Sequence, residues 1–232
     1  MRESIIVALD TDAHTALSLA RTLQGRAKWV KVGMTLYYAE GPQIVGLLRD
    51  MGFHVFLDLK LHDIPHQVEG AARQIARLGV SMMTVHASGG SEMMKAAVRG
   101  AREGAEVVGM AVLDVIAVTV LTSLGDGGLS EIGVHLPAAE QVEHLGALAR
   151  DAGVSGVVCS PLEAASMRKM LGPDALIVTP GVRPSGSDVG DQSRVATPRA
   201  ALEAGASHLV IGRPITADPE PGAAFERIVE QG

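Results

Sequence analysis

Eight short apolar runs follow one another through the chain, each trailed by a segment of helical period, and that alternation leaves few folds open. The runs are Ser4–Asp10, Trp29–Met34, His54–Lys60, Met82–Ala87, Val115–Leu121, Gly156–Ser160, Leu176–Pro180 and His208–Gly212. The intervening stretches predict helices over Ala13–Leu23, near Pro42–Met51, near His66–Leu78, from Ser91 to about Glu106, over Ala138–Ala152, and near Leu162–Leu171, Pro198–Ala204 and Gly222–Gln231. Val- and Ile-rich runs of this length suit parallel strands buried on both faces. Eight strand–helix units in 232 residues predict an α/β fold, a single-domain (β/α)8 TIM barrel over residues 1–232. A doubly wound open sheet is the alternative; it needs fewer strands for this length, and no G-x-G-x-x-G follows the first run.

Composition narrows the function classes. Hydrophobic residues make up 47% of the chain, which excludes disorder, and aromatics only 3%, so the core is aliphatic. A net charge of -6 with no basic run argues against nucleic-acid binding. Cys159 is the one cysteine, so no intrachain disulfide forms and a reducing cytoplasm is the expected home. The start, Met1-Arg2-Glu3-Ser4, carries no signal-peptide pattern, and no apolar stretch reaches the ~18 residues of a membrane span. Asparagine is absent, which excludes an N-glycosylation sequon.

In a barrel the active site forms at the C-terminal ends of the strands. There the first run ends in Asp10, the second carries Lys31, and the third carries Asp58 and Lys60, with Asp63 three residues on. Side chains alternate across a strand. Asp58 and Lys60 therefore share the inward face with Phe56, while Leu57, Leu59 and Leu61 face the helices. Lys31 shares a face with Trp29 and Gly33, and Asp10 with Ala8 and Ile6. Charges brought together in a low-dielectric place must be paired, and an order Asp10–Lys31–Asp58–Lys60–Asp63 lets neighbours compensate. A structural ion-pair network is the bland reading; convergence of five charges on the catalytic end of the predicted fold favours proton-transfer chemistry.

The other half of the mouth reads as an anion grip. The stretch Gly181–Thr197 has no apolar period and is rich in Gly, Ser and Pro, and a loop this long after the seventh strand favours function. It supplies Arg183 and Gln192, and the eighth strand runs into Gly212-Arg213-Pro214. Loops after strands seven and eight often bind phosphate in barrels; glycine admits a backbone N–H close to the anion and Arg adds a bidentate clamp. A phosphorylated small molecule across the mouth would touch both halves.

The run Asp58-Leu59-Lys60-Leu61-His62-Asp63-Ile64-Pro65 closely resembles the D-x-K-x-x-D-I-P signature of the orotidine 5′-monophosphate decarboxylase family, in its short bacterial type. VALD ending at Asp10, KVG at Lys31–Gly33, VHASGG at Val85–Gly90, VTVLTS at Val118–Ser123, VTPGVRP at Val178–Pro184, GDQ ending at Gln192 and VIGRP at Val210–Pro214 extend the resemblance over nearly the whole chain. The resemblance implies conversion of orotidine monophosphate to uridine monophosphate, with neither metal nor organic cofactor. It implies Lys60 as the general acid that protonates C6, Asp58 beside the substrate carboxylate, and Lys31 ordering Asp58 and contacting the ribose with Asp10. Asp63 would enter the neighbouring site of a homodimer. Thr122 and Ser123 match the segment that contacts the pyrimidine, and Arg183, Gln192, Gly212 and Arg213 match the phosphate grip. Where the family commonly reads D-I-P-N-T, this chain has His66-Gln67, so Gln67 stands where a threonine reaches the partner's ribose.

Two rival readings stand beside this one. Magnesium-dependent sugar-phosphate barrels, such as 3-keto-gulonate-phosphate decarboxylase and hexulose-phosphate synthase, share D-x-K-x-x-D but place a glutamate where this chain has Lys31. A catalytically silent phosphate-binding barrel would keep costly charges for nothing. His62, His66, Glu69 and His86 invite a metal site, but the lysines between the carboxylates would repel a cation. Cys159 and the methionines read as core filler, Gly89-Gly90 equally as a tight turn or a ligand contact, and Asp188 and Asp191 as solvated loop charges.

Overall fold

The alternating apolar runs close into a ring. In a computed structural model that describes residues 1–183 and 196–231, β1 (Ile5–Ala8), β2 (Trp29–Gly33), β3 (His54–Leu61), β4 (Met82–His86), β5 (Asp114–Val118), β6 (Gly156–Val158), β7 (Leu176–Thr179) and β8 (His208–Ile211) pair in parallel with their sequence neighbours. β8 returns to β1, so the sheet is a closed barrel of the (β/α)8 type. Closure abolishes the sheet edges, and helices between the strands cover the outside.

Strand alternation sorts the apolar side chains into two cores. Val7, Val30, Val32, Val55, Leu57, Val85 and Ile211 face outward and pack under the helices. Ile6, Ala8, Phe56, Met82, Ile116, Val178 and Val210 fill the barrel interior. At the N-terminal end of the interior the single tryptophan, Trp29, stacks on His54 at 4.9 Å between ring centroids and meets His208 edge-on at 5.2 Å. An aromatic pair of this kind adds roughly 0.5–1.5 kcal/mol beyond its burial.

The long helices match the apolar periodicity: Ala13–Leu23, Pro65–Arg77, Ser91–Val108, Ala138–Ala152 and Pro221–Glu230. Asp12 caps the first of them by accepting from the Thr15 N–H at 3.0 Å. Three short helices, Met34–Glu40, Asp126–Glu131 and Arg213–Thr216, lie where only connecting chain was expected; segments of one or two turns are too short to display a period. Helices Pro65–Arg77 and Ser91–Val108 approach so closely that a Cβ on Gly100 would fall 2.1 Å from the Glu69 carbonyl oxygen, and one on Gly104 2.2 Å from that of Arg73. Glu69 and Arg99, and Arg73 and Glu103, pair across the same contact. After β7 the chain is pinned at the base of the long loop, where Val182 bridges Ala196 and the Arg183 N–H donates to the Ala196 carbonyl at 3.0 Å.

Candidate active site

Three adjacent strands bring four charges into one chain of ion pairs. Lys31, on the inward face of β2, has its Nζ 2.7 Å from Asp10 Oδ1, just beyond β1, and 3.5 Å from Asp58 Oδ2 on β3. Lys60 Nζ lies 2.9 Å from Asp58 Oδ1. Asp58 and Lys31 are buried, whereas the Asp10 side chain is 57% exposed at the rim. Burial alone would raise the Asp58 carboxyl; the Lys31 and Lys60 ammoniums, with hydrogen bonds from Lys60 and Thr84, outweigh it and hold the group below the usual carboxylate range. Gly33, one pleat beyond Lys31, makes room for the outer pair: a Cβ there would lie 2.6 Å from Asp10 Oδ1 and 3.1 Å from Lys31 Nζ.

Simple alternation puts Lys60 on the inward face, but a backbone irregularity aims it. Leu57 pairs with Met83 and Leu61 with Val85, so four steps of β3 match two steps of β4. Within this bulge Lys60 has φ 52, the left-handed region that a residue with a Cβ enters at a cost of ~1–2 kcal/mol. Thr84, buried on β4 opposite the bulge, accepts the Lys60 N–H at 2.9 Å and donates to Asp58 Oδ1 at 2.9 Å. Leu59 and Leu61 pack against the outer core, as the alternation requires.

The charged chain forms one wall of a cavity of ≈490 Å³ at the C-terminal mouth. Its floor is apolar, made by Ala8, Phe56, Val158, Val178 and Val210, and Val118, Val120, Leu121 and Thr122 line the β5 side. Arg183 after β7 and Gly212, Arg213 and Thr216 after β8 complete the rim. In an eight-stranded ring β7 stands opposite β3, so Arg183 follows the strand across the opening from Asp58 and Lys60, while β8, which leads into Gly212 and Arg213, pairs with β1 beside Asp10. Such a pocket, apolar below with arginines and a paired lysine–carboxylate array at its rim, suits a small ligand that carries an anionic group.

Not every residue singled out from the sequence joins this site within one chain. Asp63 is exposed, accepts from the Ile64 N–H at 2.7 Å, and forms no ion pair among the described residues. The expected run of five charges is therefore four here, because β3 ends at Leu61 and the chain turns out of the barrel before Asp63. Gln67, on the first turn of helix Pro65–Arg77, is exposed outside the cavity, as is Ser123. Gln192, Asp188 and Asp191 lie outside the described residues. Cys159 is fully buried in the outer core. The Glu69 carboxylate is taken up by Arg99 and Arg73, and no cluster of three metal-ligating side chains occurs among the described residues. The His62 and His86 rings lie 5.3 Å apart; burial, His62 and Lys60 push His86 down, against a smaller upward pull from Asp58. Gly90 turns the chain at φ 85, and a Cβ on Gly89 would strike Met93. Thr84 carries no mark of function in the sequence, although alternation from Met82 already turns it inward.

Fold and site together define a (β/α)8 barrel with a lysine–carboxylate array and two arginines at the mouth of its cavity. Residues 3–228 match the model of the Orotidine 5′-phosphate decarboxylase / HUMPS family, and the chain belongs to that family. It is 49% identical over 232 residues to a Moorella thermoacetica protein named orotidine 5′-phosphate decarboxylase, covering 99% of this chain and 92% of that one. A protein of the same name from a Synechococcus strain is 51% identical over 225 residues, 96% of this chain and 92% of that one. Among solved structures, orotidine 5′-phosphate decarboxylase from Lactobacillus acidophilus superposes with a TM-score of 0.88 at 41% identity, covering 99% of this chain and 98% of that one.

Proposed function

We propose that the chain converts orotidine 5′-monophosphate to uridine 5′-monophosphate and carbon dioxide, the last step of de novo pyrimidine synthesis, and that it does so in the cytoplasm with neither metal nor organic cofactor. The observation that carries this reading is the chain Asp10–Lys31–Asp58–Lys60 on the wall of a cavity whose rim also holds Arg183, Gly212 and Arg213. The names of the relatives point the same way.

The chemistry follows from the residues. Arg183, Gln192, Gly212 and Arg213 hold the phosphate, Asp10 and Lys31 the ribose, and Thr122 and Ser123 the pyrimidine edge. The substrate carboxylate then lies toward Asp58 and C6 toward Lys60. The C6–carboxylate bond breaks, carbon dioxide leaves, and the electron pair stays on C6. The Lys60 ammonium stabilises that charge in a water-poor cavity and passes its proton to C6; the amine regains a proton from water. Enzymes lower barriers by roughly 8–23 kcal/mol, more than one ammonium supplies, so phosphate binding at the far rim must also be used to hold C6 in place.

Asp63 and Gln67 are exposed and do not line this cavity; Ile64 between them is 62% exposed. In this reading they enter the site of a second copy in a homodimer. The test is the ultraviolet absorbance of orotidine monophosphate mixed with the pure protein, with and without excess chelator. Loss of the orotate band with chelator present is expected. Loss only without chelator points to a metal-dependent reaction, and no loss from folded dimeric protein overturns the assignment in favour of a sugar-phosphate barrel or a silent binder.

A further inference from the structure

We propose that Thr84 is a positioning residue for the acid, its single hydroxyl holding the Lys60 backbone and the Asp58 carboxylate in one geometry; the proposal rests on the decarboxylation reading above. Thr84 is 1% exposed and does not line the cavity, so it acts through its neighbours. It sits where β3 and β4 fall out of step, between the pairs Leu57–Met83 and Leu61–Val85. A parallel ladder in register would give the Lys60 N–H a backbone acceptor; across this bulge the Thr84 Oγ1 takes it at 2.9 Å.

That bond decides the direction of the next one. A hydroxyl carries one proton, and with the Lys60 N–H aimed at its oxygen the proton goes to Asp58 Oδ1, 2.9 Å away. The same Asp58 oxygen receives Lys60 Nζ at 2.9 Å. Backbone N–H, hydroxyl, carboxylate and ammonium thus close a ring that begins and ends on Lys60, and it holds that residue at φ 52. Threonine is suited to the place because its β-branch restricts χ1. A valine of the same shape would leave both the Lys60 N–H and one acceptor position of Asp58 without their partner. The ammonium would then lose its aim at the reacting carbon while the phosphate rim stayed intact.

The experiment compares wild type, Thr84→Val and Thr84→Ser on orotidine monophosphate across the pH range, together with the Asp58 carboxyl titration followed by 13C NMR. Losing hydrogen bonds to a charged group predicts that Thr84→Val lowers kcat by about 10- to 100-fold with KM changed by less than about threefold. The Asp58 titration moves to higher pH, and the acid limb of kcat/KM moves with it. Thr84→Ser restores the hydroxyl and returns both toward wild type. Wild-type kcat in Thr84→Val, an Asp58 titration unmoved by the substitution, or a Thr84→Ser no better than Thr84→Val overturns the proposal. If Thr84→Val does not fold, Thr84→Cys, a weaker donor, is read in the same way. A wild type that leaves orotidine monophosphate intact defeats the decarboxylation reading instead, and the NMR titration then still decides whether Thr84 holds Asp58.

Discussion

Gly33 and Asp10 stand so close that a Cβ on the glycine would lie 2.6 Å from the Asp10 Oδ1 that accepts from Lys31. Gly33 has φ -89, so an alanine there meets no backbone strain. The clash is with the tip of an exposed side chain, which can swing away. Gly33→Ala should therefore change stability by less than about 1 kcal/mol while it breaks the Asp10–Lys31 pair. Thermal melting and kcat/KM measured together check this: an unchanged Tm with kcat/KM down by about 10-fold or more is expected.

Lys60→Ala tests the acid. It removes the group assigned to protonate C6 but leaves Lys31 to pair with Asp58 at 3.5 Å. Turnover should fall by at least about 10²-fold, while binding of inorganic phosphate, measured calorimetrically, stays within about threefold of wild type. A variant with most of its activity would remove Lys60 from the mechanism.

Asp58 couples the site to acid stability. Its folded-state carboxyl titrates below the ordinary value of 3.8, because the Lys31 and Lys60 ammoniums and two hydrogen bonds outweigh the cost of burial. A depressed carboxyl contributes stability above the unfolded value and loses it as pH falls through the folded one. Urea unfolding of wild type should thus weaken as pH drops below about 3.8, and Asp58→Asn should lack that part of the decline. At neutral pH Asp58→Asn should cost roughly 3–5 kcal/mol, since it leaves two ammoniums facing each other.

At the opposite end of the barrel His54 and His208 contact Trp29, and burial pushes both histidines below the ordinary value of 6.5. For His54 the Lys28 charge adds to the shift. A cationic group with a lowered folded value contributes stability above the unfolded value and loses it as pH falls below it. Stability should decline from pH 6.5 downward, and His208→Gln should flatten the slope. Fluorescence of Trp29, the only tryptophan, reports the transition.

Gly100→Ala sets helix propensity against packing. Alanine gains about 1 kcal/mol over glycine in a helix interior. Here its Cβ would fall 2.1 Å from the backbone oxygen of Glu69, which cannot rotate away. Overpacking of this kind costs roughly 1–3 kcal/mol, so Gly100→Ala should lower Tm despite the better propensity. A raised Tm would mean that helices Pro65–Arg77 and Ser91–Val108 separate easily.

Much of the molecule is written in local pattern. Apolar runs of period two and helical segments of period 3.6 specify the strands and long helices without reference to anything distant, because burial selects side chains face by face. For the same reason Lys31, Asp58 and Lys60 could be turned inward from sequence alone. Asp63 and Gln67 show the limit: they follow Lys60 by only a few residues yet do not line this chain's cavity, because β3 has already ended at Leu61. The aim of Lys60 is not local at all. It depends on two extra steps of β3 against β4 and on Thr84 supplying the acceptor the ladder lacks, and register between strands exists only once the barrel has closed. The same holds for Gly33 and Gly100, whose missing side chains matter only because Asp10 and the Glu69 backbone arrive from elsewhere. Periodicity and strand-end chemistry were thus determined by the sequence itself; which groups touch, and at what angle, was decided by the tertiary structure, since contact geometry is a property of pairs far apart along the chain.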